Sequence, residues 1–179
     1  MSTPIAALIA LCAPLIHPIT MQALIAVESA ADPYAISINY PERLTRLGRT
    51  VPVLEHQPSS AREALAWTRW LLGQGYTVSI GIAQINVERL AYLQEQKSAR
   101  SLGELFDPCT NLRAAQTILL ECWREDRSRQ GATGRLARTL SCFNAGDPQT
   151  GVRNGYVRRV AEAALHATVA ARRPTAPGS

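Results

Sequence analysis

PITMQALIAVESAADP, residues 18–33, carries more structural information than any other run in the chain. Pro18 has a fixed φ that suits a first helical turn, and the residue before Pro33 resists the helical region. The spacing therefore predicts a helix of about three turns that stops ahead of Asp32-Pro33. Met21, Leu24, Ile25 and Glu28 stand at i, i+3, i+4 and i+7, so the Glu28 carboxylate prolongs a line of apolar side chains along one helix face. Taken alone, that pattern also fits a helix-end carboxylate solvated beside Ser29.

Upstream, residues 5–16 (IAALIALCAPLI) are apolar but too short to span a bilayer, and they lack a basic leader and a clear small-residue cleavage site. A weak signal sequence, a mis-chosen start and a first buried helix all fit. Downstream, AISIN and TVPVL, broken by Pro41, Gly48 and Pro58, point to a small hairpin or irregular lobe over residues 34–58. Ser60-Ala-Arg-Glu63 reads as a capping box for a helix ending near Gly73 or Gly75. YTVSIGIAQIN (76–86) starts as a strand, and VERLAYLQEQ resumes a helical pattern. Asp107 or Thr110 can cap NLRAAQTILLECWRED, whose Leu112, Ala115, Ile118, Leu119 and Cys122 form an inward stripe. Further helices are expected in RLARTLSCFNAG, ending at Gly146, and from about Tyr156 to Val169.

The chain has 179 residues, 46% hydrophobic and 18% charged, which suits one globular domain rather than a disordered chain. Its expected bounds are 1–169, with a disordered tail over 170–179. Few aromatics and abundant Ala, Leu, Arg and Glu favour a mainly α fold. The net charge of +5, carried by eighteen arginines and one lysine, favours anionic partners, but no basic run interleaved with aromatics supports nucleic-acid binding. Cys12, Cys109, Cys122 and Cys142 form an even set without a CxxC pair, and the three histidines lie outside metal-ligand spacing. Two disulfides are the expectation and buried free thiols the alternative. If the helices starting near 110 and ending near 144 run antiparallel, Cys109 meets Cys142 and Cys12 pairs with Cys122, one of three possible connectivities.

Four segments, in order, carry a family resemblance: Glu28-Ser29 with Pro33-x-Ala35-x-Ser37; Ser79-x-Gly81-Ile82-Ala83-Gln84-Ile85-Asn86; Asp107-Pro108-x-x-Asn111-Leu112; and Phe143-Asn144-Ala145-Gly146 with Tyr156-Val157. Together they resemble the lytic transglycosylases, lysozyme-like enzymes that cut peptidoglycan between N-acetylmuramic acid and N-acetylglucosamine. The match covers roughly residues 12–165, with 38–78 matched only loosely. CAP (12–14), DPCTNL, LSCFNAG and NGYVRRV look most like the small members attached to type IV secretion and conjugation machines.

The resemblance implies a mainly α, lysozyme-like domain of the SLT or goose-type lysozyme kind, with a small irregular β-hairpin lobe. It makes Glu28 the catalytic acid, and Ser37 and Gln84 polar contacts near it and the sugar. Gly81 would let backbone approach the glycan, Asn86 and Asn144 would contact substrate along the cleft, and Tyr156 would hydrogen-bond near the carboxylate. Asp107 and Asn111 look structural. No metal or cofactor is implied. The partners implied are peptidoglycan strands and secretion or conjugation proteins, without nucleic acid or an integral membrane span, in the periplasm or cell envelope.

The chemistry agrees with Glu28. Breaking a glycosidic bond needs a proton donor near neutral pH, and a glutamate on an apolar helix face is desolvated, which raises its pKa. Two-carboxylate glycosidases place a second acid about 5–10 Å away. None stands out here, since Asp32 occupies the helix-terminating turn, where capping is the commoner role. A scheme with one carboxylate fits better, and the resemblance implies that it ends in a 1,6-anhydro product. Two positions depart from the family: Phe143 replaces a common Tyr and cannot donate a hydrogen bond, and Asn86 stands where many relatives have Met. A goose-type hydrolase and a glycan-binding scaffold of little turnover are the rivals. The bland readings are an edge strand for Gln84 and Asn86, a bulge at Gly81, a left-handed helix cap at Asn144-Ala-Gly146 and a core aromatic at Tyr156.

Overall fold

The helix foreseen at Pro18 anchors the molecule. The structure, a computed structural model, describes residues 4–39, 54–128 and 130–172. Helix α1 (Ile5–Cys12) precedes α2 (Pro18–Glu28), where His17 caps the first turn by accepting the Ile19 amide at 3.3 Å and Pro18 occupies the first helical position. Met21, Leu24 and Ile25 are buried, as their spacing requires. The helix ends where Ala30 and Ala31 take left-handed φ values of 53° and 69°, and Asp32 then accepts the Tyr34 amide at 2.8 Å. Asp32 is thus a turn residue. α1 buries Ile9 and Cys12 in the core, so this apolar stretch is built into the fold.

Strand β1 (Ile36–Asn39) pairs antiparallel with β2 (Thr77–Ile80), and β2 with the two-residue β3 (Ile85–Asn86). AISIN therefore finds a partner across some forty residues of chain, while most of TVPVL lies outside the described residues. The other edge of β1 is covered by Gln57, whose side chain accepts from the Ile36 amide at 2.8 Å and donates to its carbonyl at 3.3 Å. Between these strands runs α3 (Ala61–Gly73). Ser60 accepts the Glu63 amide at 3.3 Å, while Glu63 accepts the amide and hydroxyl of Ser59, each at 2.8 Å, so the box closes one residue early.

After β3, a 3-10 turn (Val87–Arg89) leads to α4 (Leu90–Glu95), and a second (Gly103–Phe106) to α5 (Pro108–Glu125). Asp107 caps α5 by accepting the Thr110 amide at 2.8 Å, and Leu112, Ala115, Ile118, Leu119 and Cys122 are buried as the stripe predicted. α6 (Ala132–Ala145) ends at Gly146 with φ 75°, a left-handed cap. α7 (Thr150–Arg153) and α8 (Tyr156–Arg172) follow, with α8 packed along α2. α8 reaches beyond the expected end at Val169; the tail expected after it lies outside the described residues from 173 on.

The disulfides correct the expected pairing. They join Cys12 to Cys109 and Cys122 to Cys142, with Cα separations of 5.2 and 5.8 Å. The reason is the course of α6. Arg135 stacks on Trp123 and donates to its carbonyl, Arg138 binds Asp126 at 3.0 Å, and Cys142 meets Cys122. Arg135, Arg138 and Cys142 of α6 thus all meet residues 122–126 at the end of α5, which sets Cys142 beside Cys122 rather than Cys109. Cys109, at the start of α5, is left for α1.

Candidate active site

Where α2 ends, its last side chain meets a cleft of about 580 Å³ lined on one side by Ser37, Asn39, Ser79, Gln84 and Asn86 of the sheet region and on the other by α5 and the end of α6. Local bonds fix that position. Ser29 donates from Oγ to the Ile82 carbonyl at 2.7 Å, tying the helix end to the turn between β2 and β3. Asn111, fully buried, holds the same turn: it accepts the Ala83 amide at 2.8 Å and donates to the carbonyls of Ile80 and Leu105 at 3.0 and 2.7 Å. Its structural reading is right.

Glu28 is half-buried, and the Tyr156 hydroxyl donates to its Oε1 at 2.6 Å. Burial drives the Glu28 pKa up from 4.5 to about 7, against the lowering effects of the Tyr156 hydrogen bond and the Arg159 charge. Tyr156 is 1% exposed, and burial followed by the Glu28 charge pushes its phenol well above the ordinary value, so it stays a donor. With Oε1 accepting, the proton of the neutral acid belongs on Oε2. Both protonation states of the group are therefore within reach near neutrality.

Of the other expected residues, Ser37, Gln84, Asn86 and Asn144 line the same cleft. Ser37 faces Ser79 in register across β1 and β2, and Ser79 accepts from Asn39 Nδ2 at 2.9 Å. Gln84, with φ 49° and 8% exposed, donates to the carbonyls of Ala35 and Gly81 at 3.0 and 2.9 Å, while its Oε1 is buried without a partner among the described residues. Asn86 accepts the Glu88 amide at 2.9 Å, and Asn144 accepts from Asn154 Nδ2 at 3.1 Å. Phe143 forms part of the wall.

Gly81 lies in the turn between β2 and β3. It is not among the lining residues; a Cβ there would lie 2.2 Å from Asn111 Nδ2 and 2.5 Å from the Leu105 carbonyl, at φ +78°. The close approach it permits is to Asn111, inside the protein.

Sequence reasoning missed the charged end of the cleft. Glu88, Arg89, Glu121 and Glu125 line it, with Arg89 ion-paired to Glu121 and stacked on Tyr92 at 4.5 Å. Glu121 was legible in part, since Ile118, Glu121, Cys122 and Glu125 border the inward stripe at i, i+3, i+4 and i+7. The Cys122–Cys142 disulfide also lines the cleft. Among the described residues no group of three or more His, Cys, Asp and Glu side chains could hold a metal ion, and no helix is long and apolar enough to cross a membrane.

A helical body, a small antiparallel sheet flanking a cleft and a half-buried glutamate at a helix end are the build of a lysozyme-like domain. The family described as transglycosylase SLT domain matches residues 7–165, and the chain belongs to that family. It is 33% identical over 160 residues to the type IV secretion system protein virB1 of Brucella suis biovar 1, covering 86% of this chain and 60% of that protein. It is 29% identical over 153 residues to protein virB1 of Agrobacterium fabrum, covering 86% of this chain and 56% of the relative. The chain thus spans somewhat over half the length of these curated relatives. No solved structure gives a significant match.

Proposed function

We propose that this chain is a peptidoglycan lytic transglycosylase that cleaves the β-1,4 bond between N-acetylmuramic acid and N-acetylglucosamine and leaves a 1,6-anhydro end. The observation that carries the reading is Glu28 at the cleft wall with the buried Tyr156 behind it, a carboxyl with its pKa near 7 and one oxygen already engaged as acceptor.

Such a group serves both halves of the reaction. In the first, Glu28 Oε2 gives its proton to the glycosidic oxygen as the bond to the anomeric carbon breaks, and the substrate's own N-acetyl carbonyl oxygen takes that carbon. In the second, the resulting carboxylate removes the proton of the muramyl 6-hydroxyl, whose oxygen attacks the same carbon and displaces the acetamido oxygen. An acid–base group works best when its pKa lies near the working pH, because both protonation states are then accessible. Ser37, Gln84, Asn86 and Asn144 would contact the sugars, and Phe143 would offer an apolar surface.

Membership in the SLT family and similarity to the two virB1 proteins support a role in opening the wall locally for a type IV secretion or conjugation apparatus. The two disulfides support an oxidising compartment, the periplasm or cell envelope.

Digesting purified sacculi with the protein and weighing the released fragments tests the reading. Anhydro-ended muropeptides are expected. Fragments with reducing ends would assign the chain to water-delivering muramidases instead, and binding without release would leave only a glycan-holding scaffold.

A further inference from the structure

Arg159 lies one turn after Tyr156 on α8, at i and i+3, so the two side chains share a helix face. Its guanidinium carbon is 5.9 Å from the Tyr156 ring centre, and its Nη1 donates to the Asn154 carbonyl at 3.4 Å. Asn154 is itself a junction. Its side-chain amide donates to Asn144 on the cleft wall at 3.1 Å, and its Oδ1 accepts the Tyr156 amide at 2.9 Å. One short turn thus connects the cleft wall, the start of α8 and the guanidinium.

The other charges around Glu28 are few. α1 contains no charged residue and α2 none besides Glu28; Asp32 follows in the turn. The sheet side contributes the neutral Ser37, Asn39, Ser79, Gln84 and Asn86, and the end of α6 contributes Phe143 and Asn144. Further along the cleft stand Glu88, Glu121 and Glu125, with Arg89 paired to Glu121. On α8 itself, Arg158 is turned to Glu162 at 3.9 Å.

We propose that Arg159 is a positioning residue for Glu28: held by the Asn154 carbonyl beside the Tyr156 ring, it adds a positive charge that favours the ionised carboxylate and so helps Glu28 give up its proton. The proposal rests on Glu28 being the general acid and base of the proposed reaction. Burial alone favours the neutral carboxyl and would make it slow to ionise, yet the second half-reaction needs the carboxylate. A nearby cation favours the ionised form and keeps both states within reach. The Arg159 charge acts on Glu28 in that direction.

The test is a carboxyl carbon NMR titration of Glu28 in the full chain as wild type, Arg159→Gln and Arg159→Lys, with the pH profile of sacculus digestion alongside. Arg159→Gln should move the titration midpoint, and the upper limb of the rate profile, to higher pH, and Arg159→Lys should return both toward wild type. Arg159 is solvent-exposed, so raising salt toward 1 M, where the screening length falls to about 3 Å, should move the wild-type midpoint the same way and leave Arg159→Gln nearly still. The salt series on the wild type reads the same charge even if the Gln variant folds poorly. Equal midpoints in all three proteins, or a wild-type midpoint indifferent to salt, would overturn the proposal. Because the titration needs no turnover, failure of the enzymatic reading would show separately, as absent fragment release.

Discussion

Replacing Glu28 with Gln should stabilise the fold, and do so only above acid pH. The Glu28 carboxyl has a pKa raised from 4.5 to about 7 by burial, so between those values the folded chain holds a proton that the unfolded chain has lost. The folded state then binds more protons than the unfolded one, and stability falls as pH rises through that window. Each unit corresponds to about 1.4 kcal/mol, so the full displacement is worth roughly 3 kcal/mol, and about 2 kcal/mol after allowance for solvent reaching the carboxyl from the cleft. Gln has no charge to desolvate and still accepts from the Tyr156 hydroxyl through Oε1. Near pH 4 the two proteins should therefore unfold at similar temperatures, and near pH 8 Glu28→Gln should melt some 4–8 °C higher, given about 2–4 °C per kcal/mol for a domain of this size. Thermal melts of both proteins at several pH values measure the difference directly. A difference that stays constant with pH, or that grows toward acid, would refute the reasoning.

Gly81→Ala should cost about 3 kcal/mol or more in denaturant unfolding, because the new methyl group meets Asn111 and the Leu105 carbonyl at a left-handed φ; a loss under about 1 kcal/mol would contradict that packing. Removing Cys122–Cys142, which are 20 residues apart, should cost about 3 kcal/mol, and removing Cys12–Cys109, 97 apart, nearer 5 kcal/mol, as urea midpoints of the double-serine variants would show; the reverse order would be evidence against the chain-entropy argument. Glu121→Gln should lower sacculus digestion by less than about tenfold and leave the products anhydro-ended, because its carboxylate is engaged by Arg89; loss of cleavage comparable to that of a Glu28 variant would make Glu121 a second catalytic acid.

Local chemistry made much of this architecture readable. Pro18 and Asp32-Pro33 bracket α2, the stripe from Leu112 to Cys122 marks the buried face of α5, and Gly146 closes α6, each through a conformational preference acting within a few residues. The apolar face that carries Glu28 was legible for the same reason, while its role as an acid came from the family resemblance. What escaped depends on how distant elements meet. Ile36–Asn39 pairs with Thr77–Ile80 across the intervening α3, and nothing in either strand specifies the other. The cysteine pairing turned on α6 meeting the end of α5, where Arg135 stacks on Trp123 and Arg138 binds Asp126. Gly81 was expected to let backbone approach the glycan, and its closest neighbours in the structure are Asn111 and the Leu105 carbonyl. The charged end of the cleft joins Glu88 and Arg89 from one turn to Glu121 and Glu125 on α5, residues far apart in sequence that only the fold brings together.

The proton on Glu28 is tested most directly by one paired experiment: wild type and Glu28→Gln incubated with purified sacculi at neutral pH, with bound protein and released muropeptides measured together. Equal binding is predicted, with fragment release by wild type and essentially none by Glu28→Gln. Release by Glu28→Gln at a rate near wild type would contradict the assignment of the catalytic acid.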